Sequence, residues 1–576
     1  MHRWRDGRVT PTKAALAAIE ADHRHDDPAI WITRLSDDEI LAHAGQLERE
    51  GARGGRFWGV PFAVKDNIDI AGLPTTAACA GYAYTARNTA PAVQRLLDQG
   101  ALLIGKTNLD QFATGLVGTR SPYGVPRNCF NPAYVPGGSS SGSACAVAAG
   151  IVNFALGTDT AGSGRVPAAF GNIVGLKPTL GSVSARGVVP ACRSLDTVSI
   201  FARTVDEALT VLRVIADCDD DDPYSRMAPA GCLRRTAPQA ATRIAMADPA
   251  ACDAAIAECT RRVGTLLGAE TIDISLFLEI ARLLYDGPWV AERTAALRDV
   301  VETRPAILHP ITRSILEGGF ARRTIDAFAA FHRVAEARRT ATELFRRFDA
   351  LLLPTVPFCP TLADVAADPI AVNSRLGMFT NFINLCGLAA IEVPAGFDGD
   401  GMPIGVTLVG PAWSEGRLAA LADHVHRASV DRVGATCKSL PPPALPDALA
   451  ADETALFCIG AHMSGLPLNH QLMALGGRFL RIARTAPVYR LHALGNRPGM
   501  VRAPDGAAIE GEVWALPTTA IGTLLVSVPP PLGFGTIELT DGPCLGFLAE
   551  ADGVAGTSEI TGHGGWRAWL ATKEPS

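Results

Sequence analysis

The sequence predicts an α/β protein with a second, smaller, β-rich domain towards its C-terminal end. Between Trp58 and Val409, short apolar runs alternate with Ala-rich helical stretches, as a sheet covered by helices on both faces requires. A proline-rich segment follows, and beyond it β-type runs are separated by Gly and Pro. At 576 residues the chain is also too long for one ordinary hydrophobic core. These observations predict two domains of different class.

The composition is that of a folded globular protein, since 48% of the residues are hydrophobic and 19% are charged. The formal net charge of −6 gives no basis for nucleic-acid binding. No apolar run reaches the roughly 18 residues of a membrane helix. Residues 1–8 are charged and lack the apolar core of a secretory signal. We therefore expect a cytoplasmic protein that binds neither a membrane nor nucleic acid.

The thirteen cysteines are scattered singly along the chain, and neither a Cys-x-x-Cys nor a His-Glu-x-x-His pattern occurs. Such spacing is typical of reduced thiols and differs from that of a disulfide framework or a zinc site. The sequence therefore predicts no metal site.

Four segments are expected along the chain. Residues 1–50 form a small helical preface, since the pattern over 11–50 is helical with a break at Pro28. Residues 51–438 form the α/β domain, and residues 439–453 form a semi-rigid Pro-rich linker. Residues 454–576 form the β-rich domain, in which strands are expected at 513–516, 524–528 and 546–549.

Two turns rich in Ser and Gly flank one helix and one strand of the α/β domain, so they can lie side by side. The first is Gly137-Gly-Ser-Ser-Ser-Gly142 and the second runs from Gly157 to Arg165. Other interpretations of the first turn compete. The turn matches the Gly-x-Ser-x-Gly pattern of a nucleophile elbow, but the strand that must precede such an elbow is missing. It could also be a phosphate-binding loop, but the Walker lysine is missing. A flexible loop with no catalytic or binding function remains an alternative.

A serine nucleophile in these turns would need a base. No histidine lies between His43 and His309, but Lys65 ends the apolar run 60–64. A lysine with an ordinary pKa of about 10.4 is protonated at neutral pH. Because burial favours the neutral amine, a lysine behind an apolar strand can act as the base.

Taken in order, these segments resemble the amidase signature family, whose members use a Ser, cis-Ser, Lys triad. The resemblance covers residues 58–410 and implies the amidase signature fold, a mixed sheet covered by helices. It is carried by seven motifs: Val64-Lys-Asp-Asn67, Gly105-Lys-Thr-Asn108, Gly137-Gly-Ser-Ser-Ser-Gly142, Gly157-Thr-Asp-Thr-Ala-Gly-Ser163, Gly175-Leu-Lys-Pro178, Pro394-Ala-Gly396 and Pro403-Ile-Gly405.

The resemblance implies a role for each residue of the triad. Lys65 is the base, Ser139 is the relay serine that follows a cis peptide bond, and Ser163 is the nucleophile. Asp159 and Arg165 are expected to brace the second turn as an ion pair. Backbone N–H groups of this turn would stabilise the oxyanion, each contributing about 3–4 kcal/mol. The expected oxyanion hole consists of Thr160, Ala161, Gly162 and Ser163.

The middle of the chain narrows the substrate. Residues 283–293 look like the substrate segment of allophanate hydrolases, in which a Tyr and an Arg eight residues apart bind the substrate. Here these residues are Tyr285 and Arg293. A guanidinium can hold a small carboxylate through two hydrogen bonds, and a tyrosine hydroxyl can donate another.

The C-terminal residues agree with that substrate. Gly460-Ala-His-Met-Ser-Gly-Leu-Pro-Leu-Asn469, with 476–480 and 497–499, resembles the C-terminal domain attached to allophanate hydrolases. That domain is itself similar to γ-glutamylcyclotransferase-like barrels. In the resembling proteins a histidine of this domain has been suggested for a later decarboxylation, and it corresponds to His462. Glu512 is a second polar candidate, for which a structural role is the plainer interpretation.

The resemblance implies that the chain hydrolyses allophanate (N-carboxyurea) without a cofactor, as a homodimer functionally linked to a urea carboxylase. Ser163 would attack the terminal carbamoyl carbon, ammonia would leave, and water would cleave the acyl-enzyme. The product, N-carboxycarbamate, would go on to ammonia and CO2. Two alternatives stay open: a general or transamidosome-type amidase, and a vestigial amidase that serves as a binding scaffold.

Overall fold

The computed structural model describes residues 9–52, 55–237 and 242–573, so the charged residues 1–8 lie outside the described part. The chain divides into two compact units. Unit 1 contains Met1–Ala228 and Ile244–Pro443, and unit 2 contains Pro229–Arg243 and Ala444–Ser576. The sequence predicted contiguous domains, with 229–243 inside the first. In the structure these residues belong to the second unit instead.

Unit 1 is built on an 11-stranded mixed sheet with the strand order β1-β5-β2-β6-β8-β7-β12-β13-β11-β9-β10, and β3 and β4 form a separate hairpin. Strands β5, β2 and β6 run parallel to one another, and β6, β8, β7, β12, β13 and β11 alternate in direction. The strands are β1 Trp31–Arg34, β2 Pro61–Lys65, β3 Pro74–Thr75, β4 Tyr84–Thr85, β5 Leu102–Thr107, β6 Phe154–Asp159, β7 Val174–Lys177, β8 Thr197–Ala202, β9 Ile244–Ala247, β10 Glu270–Ile272, β11 Ala350–Pro354, β12 Ala389–Phe397 and β13 Pro403–Gly410.

Helices cover this sheet, and every residue of the central strands β2, β5, β6, β7, β8 and β11 is buried, as the continuous apolar runs predicted. In the described ranges none of the helices combines the length and apolar character needed to span a membrane. The α-helices of unit 1 are Pro11–His25, Asp37–Glu50, Pro91–Asp98, Ser141–Ala148, Val166–Phe170, Val205–Ile215, Ala254–Leu267, Ser275–Arg282, Trp289–Ala296, Arg298–Thr303, Pro310–Glu317, Thr324–Arg347, Leu362–Ala367, Ala371–Leu376, Asn381–Leu385 and Glu415–Ser429.

The N-terminal preface is not purely helical, which corrects the sequence-based expectation. Thr10 caps the first helix, and Ser36 and Glu39 form a capping box at the second. Between these helices, β1 pairs antiparallel with β5 at the edge of the sheet. A strand of four residues is too short to show a period of its own, so the neighbouring helical pattern obscured it.

Unit 2 is rich in β-structure, as expected. Its five-stranded sheet has the order β15-β18-β14-β20-β19, and β17, β16 and β21 form a second sheet. The strands are β14 Glu453–Cys458, β15 Arg478–Arg484, β16 Tyr489–Leu494, β17 Arg497–Arg502, β18 Glu510–Pro517, β19 Leu532–Leu539, β20 Gly542–Ala549 and β21 Ser558–Glu559. The α-helices are Asn469–Ala474, Thr518–Ser527 and Trp566–Ala571.

One expected strand of unit 2 is wrong. Residues 524–528 fall in and just after the helix Thr518–Ser527. Leu524 is buried against the core, whereas Leu525 and Val526 are exposed, which is the burial pattern of a helix. A short apolar run cannot be assigned to a strand or a helix by periodicity alone.

Ala237 and the end of the Pro-rich linker are fixed within unit 2 by specific bonds. Ala237 N–H donates to the Phe479 carbonyl at 3.1 Å. The Arg478 guanidinium binds Glu453 through two nitrogens, at 2.8 and 2.7 Å. It also donates to the Asp447 and Ala448 carbonyls at 2.7 and 2.8 Å. Residues 447–448, which the sequence analysis assigned to the linker, are therefore held against β15.

Candidate active site

The parallel arrangement of β5, β2 and β6 brings the carboxyl ends of these strands together at one edge of the sheet. Lys65 is the last residue of β2, and Thr158 lies at the corresponding end of β6. Lys65 Nζ donates to Ser139 Oγ at 2.7 Å and to Thr158 Oγ1 at 2.8 Å. The structure thus places the predicted base and the predicted relay serine in direct contact.

Burial lowers the pKa of Lys65 to about 7, even though the charges of Asp110, Asp196 and Asp159 oppose the shift. The Arg293 guanidinium adds to the lowering. A substantial fraction of the amine is therefore neutral near pH 7, as a general base requires.

Ser139 follows a cis peptide bond with Gly138 and lies just before the helix Ser141–Ala148. Its carbonyl accepts a hydrogen bond from Asp110 N–H at 3.0 Å. The Asp110 carboxylate in turn accepts from the N–H groups of Gly118 and Arg120, both at 2.9 Å. A side chain at position 138 would place its Cβ 2.1 Å from Asp110 Oδ2, so only Gly fits there.

Ser163 is 2% exposed, and its hydroxyl donates to the Gly115 carbonyl at 3.5 Å. Among the described residues this long bond is the one contact of the hydroxyl that qualifies as a hydrogen bond, so Ser163 does not bond to Ser139 here. The hydroxyl is weakly held, and bonds of catalytic groups are often loose without substrate.

The second Ser/Gly turn is braced by a buried ion pair, as predicted. Arg165 Nε and Nη2 donate to the two carboxylate oxygens of Asp159, both at 2.9 Å. Burial raises the pKa of Asp159, but the Arg165 guanidinium, the charge of Lys177 and the Gly164 N–H together hold this pKa below its ordinary value. The same carboxylate accepts from the N–H groups of Gly162 and Gly164 at 2.9 and 3.0 Å. The loop between β6 and the helix Val166–Phe170 is therefore held by several hydrogen bonds to one carboxylate, that of Asp159.

The backbone donors of this turn divide into two groups. The N–H groups of Thr160, Ala161 and Ser163 have no hydrogen-bond acceptor within the described residues, so they are available to an oxyanion. Gly162 differs from the expectation because Asp159 already accepts its N–H. Gly162 is nevertheless required as glycine: its φ is +133°, and a Cβ would lie 2.4 Å from Thr380 Oγ1.

Two further side chains hold the turn from outside. Thr160 Oγ1 donates to the buried Asp196 carboxylate at 2.5 Å, and Asp196 also accepts from the N–H groups of Ala191 and Cys192. Thr380 Oγ1 donates to the Ala161 carbonyl at 2.6 Å. These bonds fix the direction of the free N–H groups.

Tyr285 and Arg293, the predicted substrate-binding residues, lie together. The Arg293 guanidinium carbon is 5.1 Å from the centre of the Tyr285 ring. Arg293 is 1% exposed, yet its Nε and Nη2 atoms have no partner among the described residues, and neither does the buried Tyr285 hydroxyl. Three buried polar groups without protein partners are costly, and together they are suited to a bound anion.

Three consecutive residues connect this pair to the nucleophile. Arg293 Nη1 lies 3.4 Å from the Ala113 carbonyl and 3.3 Å from Thr114 Oγ1. The next residue, Gly115, accepts from Ser163. The structure therefore brings Arg293 and Ser163 to one short segment, 113–115.

In unit 2, His462 stacks on Phe547 with ring centres 5.1 Å apart, and its Nε2 lies 3.1 Å from Gln471 Oε1. Burial lowers the pKa of His462, so its ring is neutral at pH 7. Glu512 is buried and accepts from Ser464 N–H and Oγ, Trp514 Nε1 and Arg567 Nη2. Because four donors occupy its carboxylate, Glu512 has the structural role that the sequence favoured.

Both units of the chain match known protein families. The sequence pattern of the amidase family matches residues 13–419, which is more than half of the chain. The chain belongs to the amidase family. The pattern of the allophanate hydrolase C-terminal domain matches residues 454–571 of this amidase. The protein is therefore an amidohydrolase that carries a second, separately recognisable domain.

Relatives of two kinds are similar to this amidase. The urea amidolyase of Saccharomyces cerevisiae is 41% identical in an alignment 599 residues long. The alignment covers 98% of this chain and 32% of the relative. A glutamyl-tRNA(Gln) amidotransferase subunit from Chlorobium limicola is 32% identical over 470 residues, which cover 73% of this chain and 96% of the relative. The amidase thus spans about a third of the length of the urea amidolyases it matches.

A solved structure agrees with both domains. The allophanate hydrolase of Kluyveromyces lactis superimposes with a TM-score of 0.79 at 38% identity, and the match covers 99% of this amidase and 98% of that chain. The amidase signature fold and the additional C-terminal domain, both expected from the sequence, are therefore confirmed.

Sequence reasoning missed several residues that position the site. Thr158 lies inside the motif 157–163, so its place beside Lys65 could have been inferred from the parallel strands. Asp196, Thr380 and the carbonyl of Gly115 reach the site only through the fold. No motif in their surroundings marks them.

Proposed function

We propose that this amidase hydrolyses allophanate, with Lys65, Ser139 and Ser163 as the catalytic triad. The observation that carries the proposal is the set of three buried polar groups without partners on Tyr285 and Arg293. A planar carboxylate satisfies an arginine fork through two hydrogen bonds, and the Tyr285 hydroxyl can donate to the same small anion. Similarity to the Kluyveromyces lactis allophanate hydrolase over nearly the whole chain supports this substrate.

The first step follows from the proton path. The neutral Lys65 amine takes the Ser139 hydroxyl proton, and Ser139 takes the proton of Ser163. Ser163 Oγ then attacks the terminal carbamoyl carbon while Tyr285 and Arg293 hold the distant carboxylate. The negative charge on the carbonyl oxygen is stabilised by the available N–H groups of residues 160, 161 and 163.

The second step releases ammonia. The C–N bond breaks, the nitrogen takes the proton returned through Ser139 from Lys65, and an ester to Ser163 remains. A water molecule, deprotonated by the same path, cleaves the ester and releases N-carboxycarbamate. That product loses CO2 to give ammonia and a second CO2 or bicarbonate. The neutral ring of His462 is our candidate for assisting this decarboxylation in unit 2.

The wider setting is also a proposal. A functional link to a urea carboxylase is supported by the similarity to urea amidolyases, which are about three times as long as this amidase. We also propose a role in a urea-degrading pathway and a cytoplasmic location. The location agrees with the thirteen cysteines, which are all free thiols.

We also propose a homodimer. Ile325, Phe328 and Phe331 lie on the helix Thr324–Arg347 with 68%, 62% and 58% of their surfaces exposed, which is unusual for large apolar side chains. Replacing both Phe328 and Phe331 with Glu should convert the dimer to a monomer in size-exclusion chromatography with light scattering. The exposed polar change Arg339→Glu on the same helix is the control. A double variant that stays dimeric would exclude this surface.

The function is tested by ammonia release from fresh allophanate, malonamate and a neutral aliphatic amide. Ser163→Ala should lower kcat by about 10³-fold or more with every substrate. Arg293→Ala should lower kcat/KM about 100-fold for the two carboxylates, because a charge-assisted pair is lost, and lower it much less for the neutral amide, through the pKa of Lys65 alone. Arg298→Ala, an exposed arginine on the next helix, is the matched control.

Each outcome separates the alternatives. If malonamate or the neutral amide is the better substrate, the triad stands and the general amidase is the correct assignment. If wild type turns over none of the three and an acylating probe fails to label Ser163, the chain is the vestigial scaffold.

A further inference from the structure

Arg120 is a buried arginine of unit 1 that the proposed reaction does not use. It is 1% exposed, and its Nε has no hydrogen-bond partner among the described residues. Its Nη1 donates to the Thr114 carbonyl at 2.8 Å, and its Nη2 donates to the Pro369 carbonyl at 2.7 Å. Pro369 lies two residues before the helix Ala371–Leu376. The guanidinium therefore ties the main chain at residue 114 to the start of this helix.

The two peptide groups that flank Gly115 are both held from outside their own segment. In the peptide group before Gly115, the carbonyl accepts from Arg120. In the peptide group after it, the Leu116 N–H donates to the side-chain oxygen of Asn373 at 2.7 Å. The carbonyl of this second group is the acceptor of the Ser163 hydroxyl. Both peptide planes next to the proposed nucleophile are therefore fixed in direction.

The loop that leads to Gly115 needs such support, because its backbone is unusual. Phe112 and Ala113 both have a φ of +52°, in the left-handed region that side chains other than glycine rarely adopt. Backbone of this kind persists only where the surrounding structure fixes it. The Arg120 N–H donates to the Asp110 carboxylate at 2.9 Å, and the Arg120 carbonyl accepts from the Gln111 N–H at 2.8 Å. Arg120 therefore closes this loop through its main chain and braces it through its side chain.

The braced segment contacts the proposed carboxylate anchor at one end and the proposed nucleophile at the other. Arg293 Nη1 lies 3.4 Å from the Ala113 carbonyl and 3.3 Å from Thr114 Oγ1. Ser163 Oγ lies 3.5 Å from the Gly115 carbonyl. Because all three contacts are long, each is weak by itself, and the two side chains keep their places only if the segment does. The segment therefore sets the separation between the guanidinium and the serine hydroxyl.

We propose that Arg120 is a positioning residue through which the site selects its substrate by length. This inference rests on the proposed function, in which Arg293 holds the carboxylate and Ser163 attacks the carbamoyl carbon. In allophanate and malonamate one atom separates the carboxylate carbon from the carbamoyl carbon, whereas in succinamate two atoms separate them. The additional bond is about 1.5 Å long, and a misplacement of about 1 Å at the reacting centre can lower the rate about 100-fold. A rigid segment 113–115 therefore rejects the longer substrate.

The experiment compares kcat/KM for malonamate and succinamate, which carry the same carboxylate and release the same ammonia. We expect wild type to prefer malonamate about 100-fold. Arg120→Met keeps a long side chain but loses both donors, so this ratio should fall to about 10 or less. Arg120→Lys can still donate to one of the two carbonyls, and its ratio should lie between those of wild type and Arg120→Met.

Arg226→Met is the matched control, because Arg226 is exposed and donates to a single carbonyl, that of Leu180, at 3.3 Å. Its ratio should equal that of wild type. The ratio also separates positioning from a loss of folded protein, since a partly unfolded variant loses kcat equally with both substrates. An unchanged ratio in Arg120→Met would overturn the inference, and so would a wild type that hydrolyses succinamate as well as malonamate. A wild type that prefers a neutral amide to both carboxylates would overturn the proposed function, and the inference with it.

If Arg120→Met does not fold, Asn373→Leu provides the second test. Leucine is similar to asparagine in size but lacks the oxygen that accepts the Leu116 N–H. The change frees the peptide group after Gly115 while both bonds of the Arg120 guanidinium remain. It should lower the preference for malonamate over succinamate to about 10. The full wild-type preference in Asn373→Leu would show that the peptide groups around Gly115 do not set the length of the substrate.

Discussion

Lys65, the proposed base, shows how burial can leave a lysine amine largely neutral near pH 7. Its Nζ contacts two hydroxyls, and the carboxylates whose charges act on it, on Asp110, Asp159 and Asp196, each accept hydrogen bonds from backbone N–H groups. These carboxylates therefore do not pair directly with the amine, and burial controls its pKa.

This environment predicts the pH dependence of turnover. The reaction needs the neutral amine, so kcat/KM should rise about tenfold per pH unit below pH 7 and level off above it, because the pKa of Lys65 is about 7. Initial rates of ammonia release between pH 5.5 and 9 measure this profile. A rate that is flat or falling across pH 7 would contradict the role of Lys65.

Thr158→Val provides the matched comparison. The Thr158 hydroxyl accepts a hydrogen bond from the Lys65 amine, which favours the charged form. Removal of this hydroxyl should lower the pKa of Lys65 further and move the midpoint of the profile to lower pH. A midpoint that moves to higher pH, or does not move, would argue that another group limits the rate.

The residues proposed to perform the chemistry could be found in the sequence, but the residues that position them could not. Lys65, Ser139 and Ser163 stand in motifs whose order is specific. Asp196 has no motif, and its carboxylate meets Thr160 only because β6 and β8 are antiparallel neighbours. Such pairings depend on strand order, which a single sequence does not reveal.

At the scale of elements, the turn after β6 holds the backbone N–H groups proposed to bind the oxyanion. Asp196 positions this turn through its bond with Thr160. In Asp196→Asn the amide would present N–H groups towards the backbone N–H groups of Ala191 and Cys192. The turn should loosen, kcat should fall about 10- to 100-fold, and KM should change little, because the donors serve the oxyanion. Steady-state kinetics measure this split.

Thr160→Val is the companion variant, since it removes only the bond to Asp196. It should reproduce part of the loss in kcat while leaving Asp196 bonded to residues 191 and 192. A rise in KM with unchanged kcat in both variants would mean that the turn binds substrate and does not stabilise the transition state.

The helix Glu415–Ser429 carries a buried histidine with consequences for stability. Neither ring nitrogen of His426 has a hydrogen-bond partner among the described residues, and burial lowers its pKa to about 4. Between pH 6.5 and 4 the unfolded chain therefore binds a proton that the folded chain does not. The free energy of unfolding should fall as the pH falls through this window.

His426→Phe should remove this contribution. The loss of unfolding free energy between pH 7 and pH 4 should be smaller than in wild type by an amount on the order of 3 kcal/mol. Denaturant titrations at several pH values measure the difference. The exposed His424→Gln should match wild type, and an unchanged slope in His426→Phe would contradict the prediction.

The elements themselves were predictable where they are long and buried. Strand β2 lies within one residue of the apolar run 60–64, and the expected strands 513–516 and 546–549 fall inside β18 and β20. Short elements were not, because the strand Trp31–Arg34 gains its hydrogen bonds from β5, and residues 524–528 face the core with only one side. Tertiary contacts decide such segments.

At the scale of the whole molecule, unit 2 consists of two separate stretches of chain. A truncated chain that ends at Pro443 would retain 229–243 without β14 and β15, which satisfy Arg234 and Ala237. It should aggregate and unfold at lower temperature than a second truncation in which a short Gly/Ser linker replaces 229–243. Size-exclusion chromatography and thermal unfolding compare the two, and equal behaviour would contradict the prediction.

The division of unit 2 also constrains how the gene can change. The stretch Pro229–Arg243 is encoded in the middle of the region that matches the amidase family, far from residues 454–571. If the gene were split at the Pro-rich linker, neither of the two encoded polypeptides would contain the whole of unit 2. Recombination that exchanged the C-terminal region would succeed only if it exchanged this internal stretch as well. The two regions are therefore expected to be inherited together.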